Sequence, residues 1–312
     1  LHAISEAEQV IILLVGVVVL GIPHGGADQL IAFKNSSQLN TVFSKKKFIL
    51  MYWGNIALFS LLLIVFPLIG IGVFLCLAAY HFGETDLQKL HCQTLLGKAY
   101  IFQYGLLILG VILLPHFNEV QDGLALLHSG VTIDHSINWI SENSEQILII
   151  EMILFIFSSI IYFSINKRHF KRNWMQLIQL TILILLLYKL PLILSFTYYF
   201  VVWHAVFSLK NTLLYLSEDK SLSPGSVVKE ISKNSIIALL GTFVVGCAGF
   251  AYLNNNNLVM YAVLGLAVLT APHMQILHQM YFHLNKNSKT VTVSQDLTRS
   301  SKKEPVSEHA TY

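Results

Sequence analysis

The chain carries little charge. Only 12% of its 312 residues are Asp, Glu, Lys or Arg, about half of the roughly 25% found in an ordinary soluble domain. Cysteine is scarce as well: Cys76, Cys92 and Cys247 lie far apart and form no CxxC pair. They make no disulfide framework and read as packing residues. The formal net charge of +3 is too small to argue for a nucleic-acid partner. What replaces the charge is grease. The chain is 54% hydrophobic, with a mean hydropathy of +0.62. Apolar runs near or above the roughly 20-residue bilayer span recur from end to end. A secreted disulfide scaffold, a soluble Rossmann or barrel enzyme and a disordered chain are all excluded. The prediction is an all-α, multi-pass transmembrane helix bundle.

Apolar runs bounded by polar, Pro or Gly punctuation predict about nine spans. They cover residues 8–33, 48–66, 68–86, 98–115, 145–165, 174–190, 191–216, 233–252 and 257–283. Pro67 separates the second from the third, and Lys189-Leu190-Pro191 the sixth from the seventh. The first run lacks a basic leader and a small-residue cleavage site, so it reads as a span rather than a removable signal. Because the chain opens on Leu1 rather than Met, a few residues are expected to precede it. With nine spans and an external N-terminus, 19 of the 20 Lys and Arg residues fall on one side, Lys189 being the exception. The 116–144 loop, placed outside, has no Lys or Arg. The positive-inside rule thus predicts an inner-membrane protein with its N-terminus outside and its C-terminus cytoplasmic. Residues 1–284 are expected to form a single transmembrane catalytic domain, and 285–312 a polar, disordered tail. A short interfacial helix is expected near 121–130.

Thirteen histidines are many for so apolar a chain. Nine have plain explanations as terminal, loop or helix-end residues: His2, His91, His116, His128, His135, His169, His278, His283 and His309. Four remain inside apolar runs: His24, His81, His204 and His273. They belong to the first, third, seventh and ninth spans, which all run inward. Each lies about 13 to 16 residues from its span's outer end, roughly 20–24 Å deep. Four imidazoles at one depth suit a single metal site in the bundle core. Asp28, four residues after His24, and Glu84, three after His81, are candidate acceptors for imidazole N–H groups. Imidazole ligands suit zinc, copper, iron or nickel. Four on tetrahedral zinc would close the site, whereas six-coordinate iron would keep two positions open. Tyr80 flanks His81, while Trp203 and Phe207 flank His204, as an aromatic tunnel for a long apolar substrate would require. A metal or proton transporter would spread the histidines over several depths. A membrane haem protein would pair them around the macrocycle. A retinal-binding photoreceptor fits poorly, because Lys189 sits at a helix joint.

The segments Pro23-His24-Gly25-Gly26-Ala27-Asp28, His81-Phe82-Gly83-Glu84-Thr85-Asp86, Trp203-His204 and Pro272-His273-Met274 together resemble the Brp/Blh family of bacterial and archaeal membrane β-carotene 15,15′-dioxygenases. The likeness runs from about residue 16 to residue 280. It implies a non-haem Fe²⁺ enzyme that uses O₂ to split β-carotene at its central double bond into two molecules of retinal. It further implies iron ligation by His24, His81, His204 and His273, and supply of the retinal to a microbial rhodopsin. Two positions depart from the family pattern. A second histidine one turn after the Trp-His pair is replaced by Ser208, with His278 as a poorly phased substitute, and Gly26 stands where Ala is usual.

Overall fold

In a computed structural model, the structure describes residues 4–88, 90, 94–125, 131–166, 170–218, 223, 225–236, 239 and 265–285. Among these it is all helix, with no strand. Helix α1 runs Glu6–Gln38, α2 Lys45–Val65, α3 Pro67–Asp86 and α4 Leu95–Leu113. Helices α5 (Phe117–Ala125) and α6 (Val131–Glu142) occupy the long loop. They are followed by α7 (Ser144–Ile165), α8 (Phe170–Lys189), α9 (Leu192–Leu216), α10 (225–236) and α11 (265–285).

Local chemistry sets the helix ends. Ser5 and Glu8 form a capping box at the start of α1, each side chain satisfying the other's free backbone N–H. At its far end Asn40 adopts φ 53°. The Asn40 N–H then donates to the Ser37 carbonyl and the Thr41 N–H to that of Ser36. This is a Schellman turn, with Asn taking the left-handed position that most residues resist. Ser44 and Thr94 cap α2 and α4 through the backbone N–H groups of Lys47 and Gly97.

Six helical stretches among the described residues are long and apolar enough to cross a membrane: α1, α2, α3, Leu95–Asp122, α7 and α9. They match six of the expected spans. The sixth expected span, 174–190, corresponds to the shorter apolar stretch Trp174–Lys189. The eighth, 233–252, lies almost wholly outside the described residues, as do the start of the ninth and the tail from 286. The short interfacial helix expected near 121–130 overlaps α5 over 121–125, its remainder lying outside the described residues, and α6 packs on α5.

Two apolar clusters organise the bundle. One joins α3, α4, α7, α8 and α9 through residues such as Ala78, Ile108, Phe155, Leu183 and Tyr199. Within it, Tyr100 stacks on Tyr162 at 4.6 Å and 4°. The other joins α1, α9, α10 and α11 through Ile31, Tyr215, Val227 and Met280. A buried polar staple ties three of these helices: the Tyr215 hydroxyl donates to Asn35, whose amide donates to the Ile276 carbonyl. Helices α3 and α4 approach until backbone meets backbone. Gly83 faces the Ile101 carbonyl and Gly105 faces the Ala79 carbonyl, each so close that a Cβ would collide. Small residues of this kind allow membrane helices to pack tightly. Here they seat α3 directly on α4 on both sides of His81.

Candidate metal centre

Each of the four intramembrane histidines is placed by a distinct local device. Pro23 has no N–H, and its ring opposes the carbonyl one turn back. Helix α1 answers with a π-helical stretch, Val17–Gly21, immediately before it. His24 follows, with Nδ1 at 2.5 Å from the Gly21 carbonyl. A carbonyl can only accept, so Nδ1 carries the hydrogen and Nε2 keeps its lone pair. His81 sits between the two glycine contacts of α3. His204 lies in a second π-helical stretch, Tyr198–Ala205, a distortion common at functional sites. His273, on α11, donates Nδ1–H to Asp28 Oδ1 at 2.7 Å, which leaves its Nε2 as the free base.

The bundle brings all four together. Ring centroids are 4.8 Å apart for His24 and His273, 5.3 Å for His273 and His81, 4.8 Å for His81 and His204, and 5.6 Å for His204 and His24. The four rings therefore close a quadrilateral. They are deeply buried, at 6%, 2%, 0% and 6% exposure for His24, His81, His204 and His273. The ligand nitrogens of His24, His81 and His273 all lie within 4.8 Å of one another, a grouping that could hold a metal ion. His204 falls outside that nitrogen set, although its ring packs against His81 and His24.

The chemistry of these nitrogens fits a metal. Both nitrogens of His81, both of His204 and Nε2 of His273 are buried without a hydrogen-bond partner among the described residues. A buried polar atom left unsatisfied costs about 1–3 kcal/mol. Several pointed into one small volume make sense when their lone pairs have a shared acceptor, as imidazole ligands do on a transition metal. The carboxylates complete the pattern, but across helices rather than along them. Asp28 serves His273 from the far end of the chain, and its Oδ2 accepts the Tyr52 hydroxyl at 3.0 Å. Glu84 takes the Nδ1–H of His278 at 2.7 Å rather than serving His81.

Of the expected substrate-lining aromatics, Trp203 and Phe207 lie together, with ring centroids 5.2 Å apart. They border a cavity of about 400 Å³ with Thr85, Asp86, Tyr104 and Asn211. Tyr80 is not on that wall; it lies 6.0 Å from the His278 ring. Ser208 is fully buried one turn beyond His204. Two residues escaped the sequence reading. Tyr52 lies in the second apolar run with no motif to mark it. Asp86 lies in the same HFGETD segment as His81 and Glu84, yet nothing in that segment marks it as part of the site.

Comparison with known proteins identifies the family. The family described as beta-carotene 15,15'-dioxygenase matches residues 15–281, a stretch that contains all four histidines. A curated relative, the beta-carotene 15,15'-dioxygenase of uncultured marine bacterium 66A03, is 26% identical over 267 residues, covering 83% of this chain and 89% of its own. No solved structure matches the chain significantly. By the extent of the family match, the chain belongs to the beta-carotene 15,15'-dioxygenase family.

Proposed function

We propose that this protein is a membrane-embedded non-haem iron dioxygenase that uses O₂ to cleave β-carotene at its 15,15′ double bond, giving two molecules of retinal. The observation that carries the reading is the closed ring of four buried histidines inside an apolar bundle of this family. His24, His81 and His273 would hold Fe²⁺, with His204 as the fourth ligand. Iron bound there supplies activation of O₂ for addition across the central C=C.

The remaining work falls to the chain. Asp28, supported by Tyr52, keeps His273 in the tautomer that offers Nε2. The Gly21 carbonyl does the same for His24. Glu84 acts through His278, at the edge of the site. Trp203, Phe207 and Tyr80 supply apolar surface for the polyene, and the buried surroundings exclude water from the reacting bond. The overall change moves no proton, so no side chain is assigned as general acid or base. The apolar bundle acts as one catalytic unit in the inner membrane, N-terminus outside, where a lipid-soluble carotenoid is already dissolved. The retinal released there is available to a membrane protein such as a microbial rhodopsin. A haem protein is the weaker reading, because four imidazoles in mutual contact leave no slot for a porphyrin. A transport path would need them spread along the membrane normal.

The test is expression in a β-carotene-accumulating bacterium followed by pigment extraction. Loss of orange colour with appearance of retinal is expected. Persistent colour without retinal, in cells whose membranes contain the iron-loaded protein, would refute the proposal.

A further inference from the structure

Asp86 ends α3, five residues inward of His81. Its Oδ2 accepts three hydrogen bonds: from the Tyr104 hydroxyl at 3.2 Å, the Tyr199 hydroxyl at 3.2 Å and the Trp203 indole N–H at 3.1 Å. Tyr104 comes from α4. Tyr199 and Trp203 both belong to the π-helical stretch Tyr198–Ala205, and Trp203 directly precedes His204. One carboxylate oxygen thus gathers donors from two neighbouring helices, and two of the three lie on the distorted turn that carries a histidine of the site.

A π turn needs such outside support. Its hydrogen bonding does not favour it over the α-helix on either side, and backbone alone does not dictate where the extra residue sits. No hydrogen bond to the His204 ring fixes its direction either, since both its nitrogens lack a protein partner among the described residues. What does fix it is α3. Phe82 and His81 pack on the ring with centroids at 4.7 Å and 4.8 Å. Asp86 holds the turn from which the ring projects. The apolar contacts set how near His204 comes; the hydrogen bonds set the rotation of α9 that aims it.

We propose that Asp86 is a positioning residue of the metal centre: through Tyr199 and Trp203 it locks the π turn that presents His204 to His24, His81 and His273. The proposal rests on the metal-site reading given above and adds to it the device that completes the fourth corner.

Co²⁺ reports on both, because its visible ligand-field bands follow the number and arrangement of its ligands. The experiment titrates Co²⁺ into the detergent-purified full chain and into its variants. Asp86→Leu is expected to weaken Co²⁺ binding by about 10–100-fold, as loss of an outer partner of a ligand does. It should also acquire the spectrum of His204→Ala, whereas a collapsed bundle would show no bound-metal bands. Asp86→Asn keeps an oxygen in place and should restore the wild-type spectrum, with affinity within about threefold of wild type. The double variant Tyr199→Phe with Trp203→Phe retains Asp86 and should reproduce Asp86→Leu. That variant decides the matter if the leucine protein does not accumulate. Wild-type affinity and spectrum in either Asp86→Leu or the double variant would overturn the proposal. A wild-type chain that takes up no Co²⁺ overturns the metal-site reading and the role of Asp86 with it. A wild-type chain that binds Co²⁺ but, loaded with iron, leaves β-carotene uncleaved refutes only the dioxygenase reaction, and the variant spectra still judge Asp86.

Discussion

Substituting Asp28 should loosen a bound metal without touching any ligand atom. Its two oxygens accept the His273 Nδ1–H at 2.7 Å and the Tyr52 hydroxyl at 3.0 Å. Asp28→Leu strands both donors in a buried site, at about 1–3 kcal/mol each. The share borne by His273 acts on the metal, since an unheld ring no longer presents Nε2 in one orientation. A loss of about 10–100-fold in metal affinity is expected. Tyr52→Phe removes one support from Asp28 and should cost about 1 kcal/mol, roughly fivefold in affinity. In the Asp28→Leu background the tyrosine has no acceptor to serve, so adding Tyr52→Phe should change nothing further. The assay is Co²⁺ competition against a coloured chelator, on the four proteins of the double-mutant cycle. A fivefold loss from Tyr52→Phe in both backgrounds would show that the tyrosine does not act through Asp28. Wild-type affinity in Asp28→Leu would remove the carboxylate from the site altogether.

Other substitutions separate ligation from packing. His81→Ala should abolish both iron retention and β-carotene bleaching. His278→Ala should retain iron, because His278 reaches Glu84 rather than the histidine cluster; iron measured by mass spectrometry in the two purified variants checks this, and retention by His81→Ala would refute the ligand set. Gly105→Ala drives a methyl group into the Ala79 carbonyl, while Gly72→Ala meets open space. The first should cost about 1–3 kcal/mol by overpacking and the second close to nothing. Thermal unfolding in detergent distinguishes them, and equal midpoints would contradict the close α3–α4 contact.

The sequence made the histidine cluster visible for a simple reason. Depth in a membrane is a linear coordinate, so counting residues from each span's outer end is enough to align His24, His81, His204 and His273. Partners across helices are not linear in this way. The i, i+4 spacing of His24 and Asp28 suggests a bond along one helix, yet Asp28 accepts from His273 on α11, 245 residues away. Asp86 was hidden by the same limitation: three aromatic donors from two other helices surround it, and no local pattern announces them. The π-helical stretches were also illegible. Pro23 signals a disturbance in α1, but nothing comparable in Tyr198–Ala205 marks where α9 takes its extra residue.

A π turn acts as a phase shifter. Inserting one residue into the repeat rotates everything beyond it by about 100° relative to an unbroken α-helix. Helices α1 and α9 each contain one shifter, at Val17–Gly21 and Tyr198–Ala205, so each is two half-helices with separate angular settings. The N-terminal halves are free to be phased for packing on one another, and the residues from each π stretch onward for aiming His24 and His204. Deleting a single residue from either stretch would leave composition, length and hydropathy almost untouched. It would nonetheless point a histidine out of the ring, making the site far more sensitive to the count of residues than to their kind.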